Sequence, residues 1–593
     1  MRILKNCLFA LRLVAQACPS YTALTLLVSL TSLAAPLTGV LGIKLLIDAL
    51  SIRDLRQTGL ILFGFGVITA LTALIQSWYQ SVYEPAARAR ISGAANGQLL
   101  SRIGQVDLAS LEDSEFYNQV ARAAAESGTR AQGVINTLCG FIGNLASILA
   151  LTAILLSLDA FVLVLTLAGA GLMFLLNLKK SRLGFRQFLE RTRFERQITY
   201  IQRVCQEPQY AREIRLFAMN AFLMDQYAVL WRQLRQLLHR QGKKIWLFSG
   251  CEKLLNDSIY IVVTLIYLTG RYFAGVITLG GFSALFNGVF QFGNQIYALM
   301  ARVPELYQHS LYLDTLRAVI DRPANIETTS GASPDPGQAH SIEFRDVTFA
   351  YPGRPPVFTH LNLKVDAGEQ VALLGHNGAG KSTLIKLLLR LYDPQEGQIL
   401  LDGLDIRLYE IHALRRCFGV VLQDFQHFAF SIAKNVSLGR QDCPTDSIAA
   451  AINQARLDQR IRLLPKGIET PITREFDDDG IQLSGGEYQK LALARAYAQN
   501  SGILVFDEPS SALDPEAEHH LFSELRQYAR RKTVLFVCHK MSLAVHSDRV
   551  ILLEQGRIVE QGPPDLLLQA NGLYAHLYRL QAADYQLDGR VAG

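Results

Sequence analysis

Charge is scarce in this chain. Asp, Glu, Lys and Arg supply 19% of its 593 residues, against roughly 25% in soluble domains, while hydrophobic residues reach 50%. The shortage is concentrated in the first 310 residues, which hold several long apolar runs. The net charge of +6 is modest and requires no nucleic-acid partner, because Lys and Arg left on the cytoplasmic side of a membrane give the same excess. The eight cysteines (Cys7, Cys18, Cys139, Cys205, Cys251, Cys417, Cys443, Cys538) include no C-x-x-C pair, which argues against a metal site or a disulfide framework. Reduced, buried or inert thiols are expected. A signal peptide is not expected either. Arg12 interrupts the first apolar stretch and no small-x-small site is well placed, whereas Leu4, Leu8, Leu11 and Val14 fall near helical spacing. Residues 1–20 therefore read as an amphipathic helix lying on a membrane surface.

What is present divides the chain in two, as its length requires. Six stretches are long and apolar enough to span about 30 Å of hydrocarbon: about 22–47, 59–82, 133–157, 160–178, 248–270 and 276–303. Pro36 and Gly39 make a kink possible in the first, and Ser157-Leu158-Asp159 must turn tightly between the third and fourth. The two long connections, 83–132 and 179–247, are rich in arginine at their flanks, which places them and both termini in the cytoplasm. Both read as helices continuing out of the membrane, with turns at Asp107–Glu115 and Glu207–Arg212. In the sixth stretch Ser283, Asn287, Gln291 and Asn294 share one helical face, with Phe286, Phe290 and Tyr297 nearby. That face is either interhelical hydrogen bonding or one wall of a substrate cavity. Glu252, Lys253 and Asp257 form a charge cluster at a helix end or a substrate contact.

Residues 321–340 are rich in Pro, Gly and Ser and read as a linker. From 341 to 582 short β-rich runs (IEFRDVTF, QVALLG, FGVVLQ, ILVFDE, TVLFVCH, RVILLE) alternate with helical ones, so an α/β domain with a largely parallel sheet is expected, followed by a short tail, 583–593. Within it Gly375, His376, Asn377, Gly378, Ala379, Gly380, Lys381 and Ser382 fit G-x-x-x-x-G-K-[ST], between a strand ending at Leu374 and a helix starting near Lys381, with Thr383 next. Glycines let successive N–H groups converge on phosphate oxygens, and the helix N-terminus adds partial positive charge. Lys381 is expected on the β/γ-phosphates and the Ser382 hydroxyl on Mg²⁺.

The domain resembles the nucleotide-binding domain of the ATP-binding cassette (ABC) transporters, and the resemblance extends over nearly the whole chain. It implies roles residue by residue. Tyr351 in VTFAYPG would stack on adenine, Gln423 in VVLQD would contact Mg²⁺, and Asp507 closing ILVFD would hold Mg²⁺ through water. Glu508 would be the general base, Ser511-Ala512-Leu513-Asp514 the D-loop, and His539 the switch histidine. Leu483-Ser484-Gly485-Gly486-Glu487 matches the family signature, which in these proteins closes on ATP held by the other domain of a dimer. The fifth signature residue departs from the pattern, being Glu487 where Gln is commoner. Lys381 and Mg²⁺ would offset charge on the transferred phosphate, Glu508 would orient the attacking water, and His539 would hold Glu508 in place.

The expected architecture is therefore a six-helix transmembrane domain fused to an ABC domain, half of an exporter in a bacterial cytoplasmic (inner) membrane. A second copy, or a related half-transporter, would complete two ATP sites. ASLEDSEFYNQV, REIRLF and EFDDDGIQLSGGEYQKLALARA are similar to bacterial exporters of lantibiotic, microcin and bacteriocin peptides, so a modified peptide is the expected cargo. No cysteine-protease domain precedes the first span, so such a peptide would be matured elsewhere. The alternatives are multidrug or hydrophobic-compound export, a flippase for lipids or lipid-linked oligosaccharides, and, more distantly, a nucleotide-gated channel or regulatory subunit. Six spans with short outer loops argue against a merely anchored ATPase acting on DNA or ribosomes.

Overall fold

The computed structural model describes residues 2–254, 260–323, 326, 331–440, 442–508, 525, 528–538 and 544–588. The chain forms two compact units, one of Met1–Gln105 with Glu115–Arg322 and one of Val106–Ser114 with Pro323–Gly593.

The first unit is helical. α1 (Arg2–Ala17) bends by 112° into α2 (Pro19–Thr31) at Cys18. Leu4 and Leu8 of α1 are exposed, Leu11 is half-buried and Val14 is buried, so the four residues of the expected apolar stripe do not share one surface environment. Asn6 is buried and pins α1 through Ser310 and Asp314. The first apolar stretch continues as α3 (Ala34–Leu37), a π-helical turn (Thr38–Gly42) and α4 (Ile43–Ile52). α5 (Leu55–Trp78) runs through a second π turn (Tyr79–Tyr83) into α6 (Glu84–Ile103). No residue of α5 is buried although the helix is apolar on all sides, the pattern of a lipid-facing helix.

α8 (Ser114–Leu158) and α9 (Ala160–Gln206) contain 45 and 47 residues, roughly 70 Å each at 1.5 Å per residue, more than twice the hydrocarbon thickness. Asp159 caps α9 by accepting from the Phe161 and Val162 amides, and it pairs with Arg271 at 3.2 Å. α10 (Pro208–Leu216), α11 (Asn220–Lys253), α12 (Ile261–Phe273) and α13 (Leu279–Ile320) complete the unit. By length and composition, Leu55–Ile103 and Gly128–Leu158 each qualify as a membrane-crossing helix among the described residues. Helices coincide with the other expected spans, but breaks at Ser32–Leu33 and the π turn divide the first, and part of the fifth lies outside the described residues.

The second unit includes α7 (Leu108–Glu112), the turn expected near Asp107–Glu115. Its nucleotide domain carries two sheets. β1 (Ile342–Ala350), β2 (Pro356–Val365), β4 (Glu396–Leu401) and β5 (Leu404–Asp405) form an antiparallel sheet in the order β2-β1-β4-β5. IEFRDVTF therefore lies outside the parallel sheet, because the short connection from β1 to β2 permits only an antiparallel pair. The second sheet, ordered β10-β9-β3-β8-β7-β6, comprises β3 (Gln370–Leu374), β6 (Phe418–Val421), β7 (Ile503–Asp507), β8 (Thr533–Val537), β9 (Arg549–Glu554) and β10 (Arg557–Gly562). All its pairs are parallel except β9 with β10, and β7 and β8 are buried throughout, as strands covered on both faces must be. Around the sheets run α14 (Lys381–Leu388), α15 (Ile411–Arg416), α16 (Ile432–Ser437), α17 (Thr445–Gln454), α18 (Asp458–Arg462) and α19 (Gly485–Ala498).

The expected linker is only partly a free tether. Ala332 exchanges backbone hydrogen bonds with Leu408 and Glu410, and Gly502 donates to the Pro336 carbonyl. His340 is buried, with Nδ1 2.6 Å from Asp402 and Nε2 2.7 Å from the Asp335 carbonyl. Residues 332–340 are thus a strap fixed to the nucleotide domain. All eight cysteines are free thiols, and two of them, Cys205 and Cys251, are exposed rather than buried.

Candidate ATP site

The site sits at the C-terminal ends of parallel strands, where open α/β sheets place their ligands. β3 leaves the sheet at Gly375, where a Cβ would lie 2.3 Å from the Leu553 carbonyl oxygen. The loop His376–Asn377–Gly378–Ala379 then closes on Gly380, whose φ of +108° and approach to the Phe358 ring admit only glycine. Gly380 is the N-cap of α14 and Lys381 its first residue. Lys381 is buried and folds Nζ back on the carbonyls of Gly375 (2.7 Å) and His376 (3.2 Å). Burial lowers its pKa, against the opposing pull of Glu508 and Asp507.

Asp507 is the last residue of β7, and Ser382 hydrogen-bonds its carboxyl. Burial, helped by the neighbouring Glu508, pushes this carboxyl up to about 6, while Lys381 and Ser382 pull the other way. Its Oδ1 is buried without a partner. An unsatisfied buried carboxylate oxygen beside an exposed serine hydroxyl is a donor set of the kind a hard divalent cation takes, so the residues fit Mg²⁺. Glu508 follows in the left-handed region at φ +52°, a conformation that non-glycine residues hold only where the surroundings enforce it. Its amide donates to the Val537 carbonyl, and its carboxylate accepts from Gln423 Nε2 at 2.9 Å. Gln423 lies two residues beyond β6, so the sheet order β8-β7-β6 brings together residues 85 positions apart.

Ser484 is the N-cap of α19 and forms a reciprocal capping box with Glu487: Ser484 Oγ accepts from the Glu487 amide (3.3 Å), and Glu487 Oε2 accepts from the Ser484 amide (2.7 Å). Ser484 and Gly485 are exposed and Gly486 is half-buried. Farther along α19, Arg495 donates to the Asn435 and Gln426 carbonyls and to Asn435 Oδ1, tying the signature helix to the segment after Gln423.

Tyr351 packs edge-on against Phe349 and Tyr392, and its hydroxyl lies 3.1 Å from Thr383 Oγ1, one residue past Ser382. Sequence reasoning missed what lies behind it. Glu112 of α7 accepts from the Tyr392 hydroxyl (2.5 Å) and from Lys386 Nζ (2.9 Å), and Lys386 sits 5.5 Å from the Tyr351 ring centre. The Tyr392 and Lys386 contacts hold the Glu112 carboxyl below its usual range despite its partial burial. Glu112 lies inside ASLEDSEFYNQV, but nothing in that string names its partner. His539 and Asp514 lie outside the described residues.

The polar face of α13 has different surroundings. Asn287 Nδ2 donates to the Gly39 carbonyl at 2.6 Å, inside the first π turn. Ser283 and Gln291 are half-buried, while Asn294 is exposed and lines a cleft with Tyr260, Thr264, Phe286 and Phe290.

The family model for the ABC transporter matches residues 358–511, from β2 through the phosphate loop, Gln423, the signature, Asp507 and Glu508. That segment is similar to the ABC transporter family. The ABC fold continues beyond it: a bacterial Atm1-family ABC exporter with ATP bound superposes with a TM-score of 0.76 over 96% of this chain and 98% of its own, at 24% identity. The chain as a whole thus has the fold of an ABC exporter. Among curated relatives, an ATP-dependent lipid A-core flippase of Paraburkholderia xenovorans is 35% identical over 362 residues, 60% of this chain and 59% of the relative. The toxin RTX-I translocation ATP-binding protein of Actinobacillus pleuropneumoniae is 36% identical over 332 residues, 55% of this chain and 46% of the relative. The chain spans about half to six tenths of the length of these relatives.

Proposed function

We propose that this protein is an ATP-driven ABC exporter that works as a dimer in a bacterial inner membrane and moves a lipid-like amphiphile across the bilayer. The observation that carries the reading is the convergence of Lys381, Ser382, Asp507, Glu508 and Gln423 at one sheet edge, within a chain that has the exporter fold. Ser382, Asp507 and Gln423 would hold Mg²⁺, which neutralises phosphate charge when bound. Lys381, released from its loop carbonyls, would cover the phosphates. Glu508 would orient the water, its aim set by the left-handed turn after β7 and by Gln423. The exposed start of α19 supports a second copy, since Ser484 and Gly485 have space for a nucleotide held by another chain.

Peptide cargo was the first expectation, but the relatives support the flippase alternative better, several of them bearing the name lipid A-core flippase. A polypeptide cargo stays as the second reading, on the toxin-translocating relative alone. The test is ATPase activity and dye-lipid translocation of the protein reconstituted in liposomes, challenged with phosphoglycolipids, peptides and drugs. Stimulation by glycolipid is the expected result; stimulation by peptide alone overturns the cargo reading, and absence of ATP hydrolysis overturns the whole.

A further inference from the structure

The acidic fifth signature residue poses an electrostatic difficulty. An anion approaching the N-terminus of α19 is favoured by the helix dipole, and a carboxylate in the first turn opposes it. Glu487 is such a carboxylate, and the structure fixes both of its oxygens. Oε2 accepts from the Ser484 amide, and Oε1 lies 3.1 Å from Arg460 Nε. Ser484 Oγ already accepts from the Glu487 amide, so its own proton is free to be donated outward. Arg460 comes from α18, and its neighbour Arg462 is engaged by Asp458 at 3.2 Å, so within that helix only Arg460 turns to the signature.

We propose that Arg460 is a positioning residue of the composite ATP site. Its guanidinium neutralises Glu487 and holds the carboxylate in the capping box, so that Ser484 and Gly486 present an uncharged, correctly aimed surface to the phosphate. The inference rests on the ATP-site reading above. It also accounts for the departure at Glu487: the acid is tolerated because a cation 27 positions upstream accompanies it.

The experiment uses full-length protein in liposomes and measures KM and kcat for MgATP in four forms: wild type, Arg460→Ala, Glu487→Gln and the double variant. Arg460→Ala is expected to raise KM roughly three- to tenfold with kcat within about twofold, the scale of one uncompensated charge near solvent. The double variant is expected to return KM to within about twofold of wild type, since the neutral amide needs no counter-charge. Raising the salt from about 50 to 500 mM should shrink the Arg460→Ala effect and leave the double variant unmoved. An unchanged KM in Arg460→Ala, or failure of Glu487→Gln to rescue it, overturns the inference while leaving the ATP site intact. A wild type that hydrolyses no ATP overturns the ATP-site reading, and this inference with it.

Discussion

Two sets of polar side chains, one at the edge of the parallel sheet and one along α13, differ in what their hydrogen-bonding atoms meet. At the sheet edge, Asp507 Oδ1 is buried without a partner, Lys381 leans on the carbonyls of its own loop, and Glu508 sits in a left-handed turn. On α13, Asn287 is matched at 2.6 Å to a carbonyl of the neighbouring helix. The first set carries unmet polarity and backbone strain, the marks of a place arranged for a ligand. In the second, Asn287 is paired within the fold, as a residue of a helix seam in a membrane must be. A polar pattern in sequence does not separate these cases; the partners do.

The largest expected effect tests the first set. Glu508→Gln should lower ATP hydrolysis by roughly 10²–10⁴, read as phosphate release, and near-normal turnover would remove Glu508 from its role. Next is the pH dependence of Asp507. Its native pKa, about 6, lies above the ordinary carboxyl value, so the ionised form is disfavoured in the fold and a divalent ion must compete with a proton below that pH. Mn²⁺ affinity measured by electron paramagnetic resonance should therefore weaken about tenfold per unit below about pH 6 and level off above it. The sign for stability follows. A raised carboxyl pKa costs the apo fold stability as pH rises from about 4 to 6, and the cost persists above that, so Asp507→Asn should raise the apo melting temperature at pH 7.5 while abolishing turnover.

The α13 face is tested by separating its members. Asn287→Leu should destabilise the helical unit by about 0.5–2 kcal/mol in thermal unfolding, whereas Gln291→Leu with Asn294→Leu should reduce cargo-stimulated ATPase and leave the melting temperature in place. Equal behaviour of the two variants would erase the distinction. The smallest effect concerns Glu112, whose pair with Lys386 is partly exposed. Glu112→Gln should cost under about 1 kcal/mol, yet weaken the coupling of cargo to hydrolysis, read as the ratio of stimulated to basal ATPase.

The sequence made the phosphate loop, the two acidic residues at the end of β7 and the signature legible, because each is a contiguous string whose chemistry demands fixed neighbours. The α/β alternation and the long extramembrane helices were equally plain, as periodicity and length report them directly. Three features were hidden for a common reason: they depend on residues distant in the chain. The strap at 332–340 reads as Pro/Gly-rich linker because its composition is that of a linker, while its docking depends on Leu408, Asp402 and Gly502. Arg460 reads as one more surface arginine until Glu487 is seen beside it. β1 looks like a strand of the parallel sheet because periodicity carries no information on its partner.

The π turn at Thr38–Gly42 has one more consequence. A π turn is an inserted residue, and an insertion in a helix is a change of phase: about 100° of rotation for everything that follows. α3 and α4 therefore present faces that no continuous helix through the same sequence could present together. Deleting one residue within the turn should leave both flanks aimed as they are and erase only the bulge, with the carbonyl that Asn287 meets. The same deletion a turn away would rotate one flank against its neighbours. In this helix the position of a deletion matters more than its size.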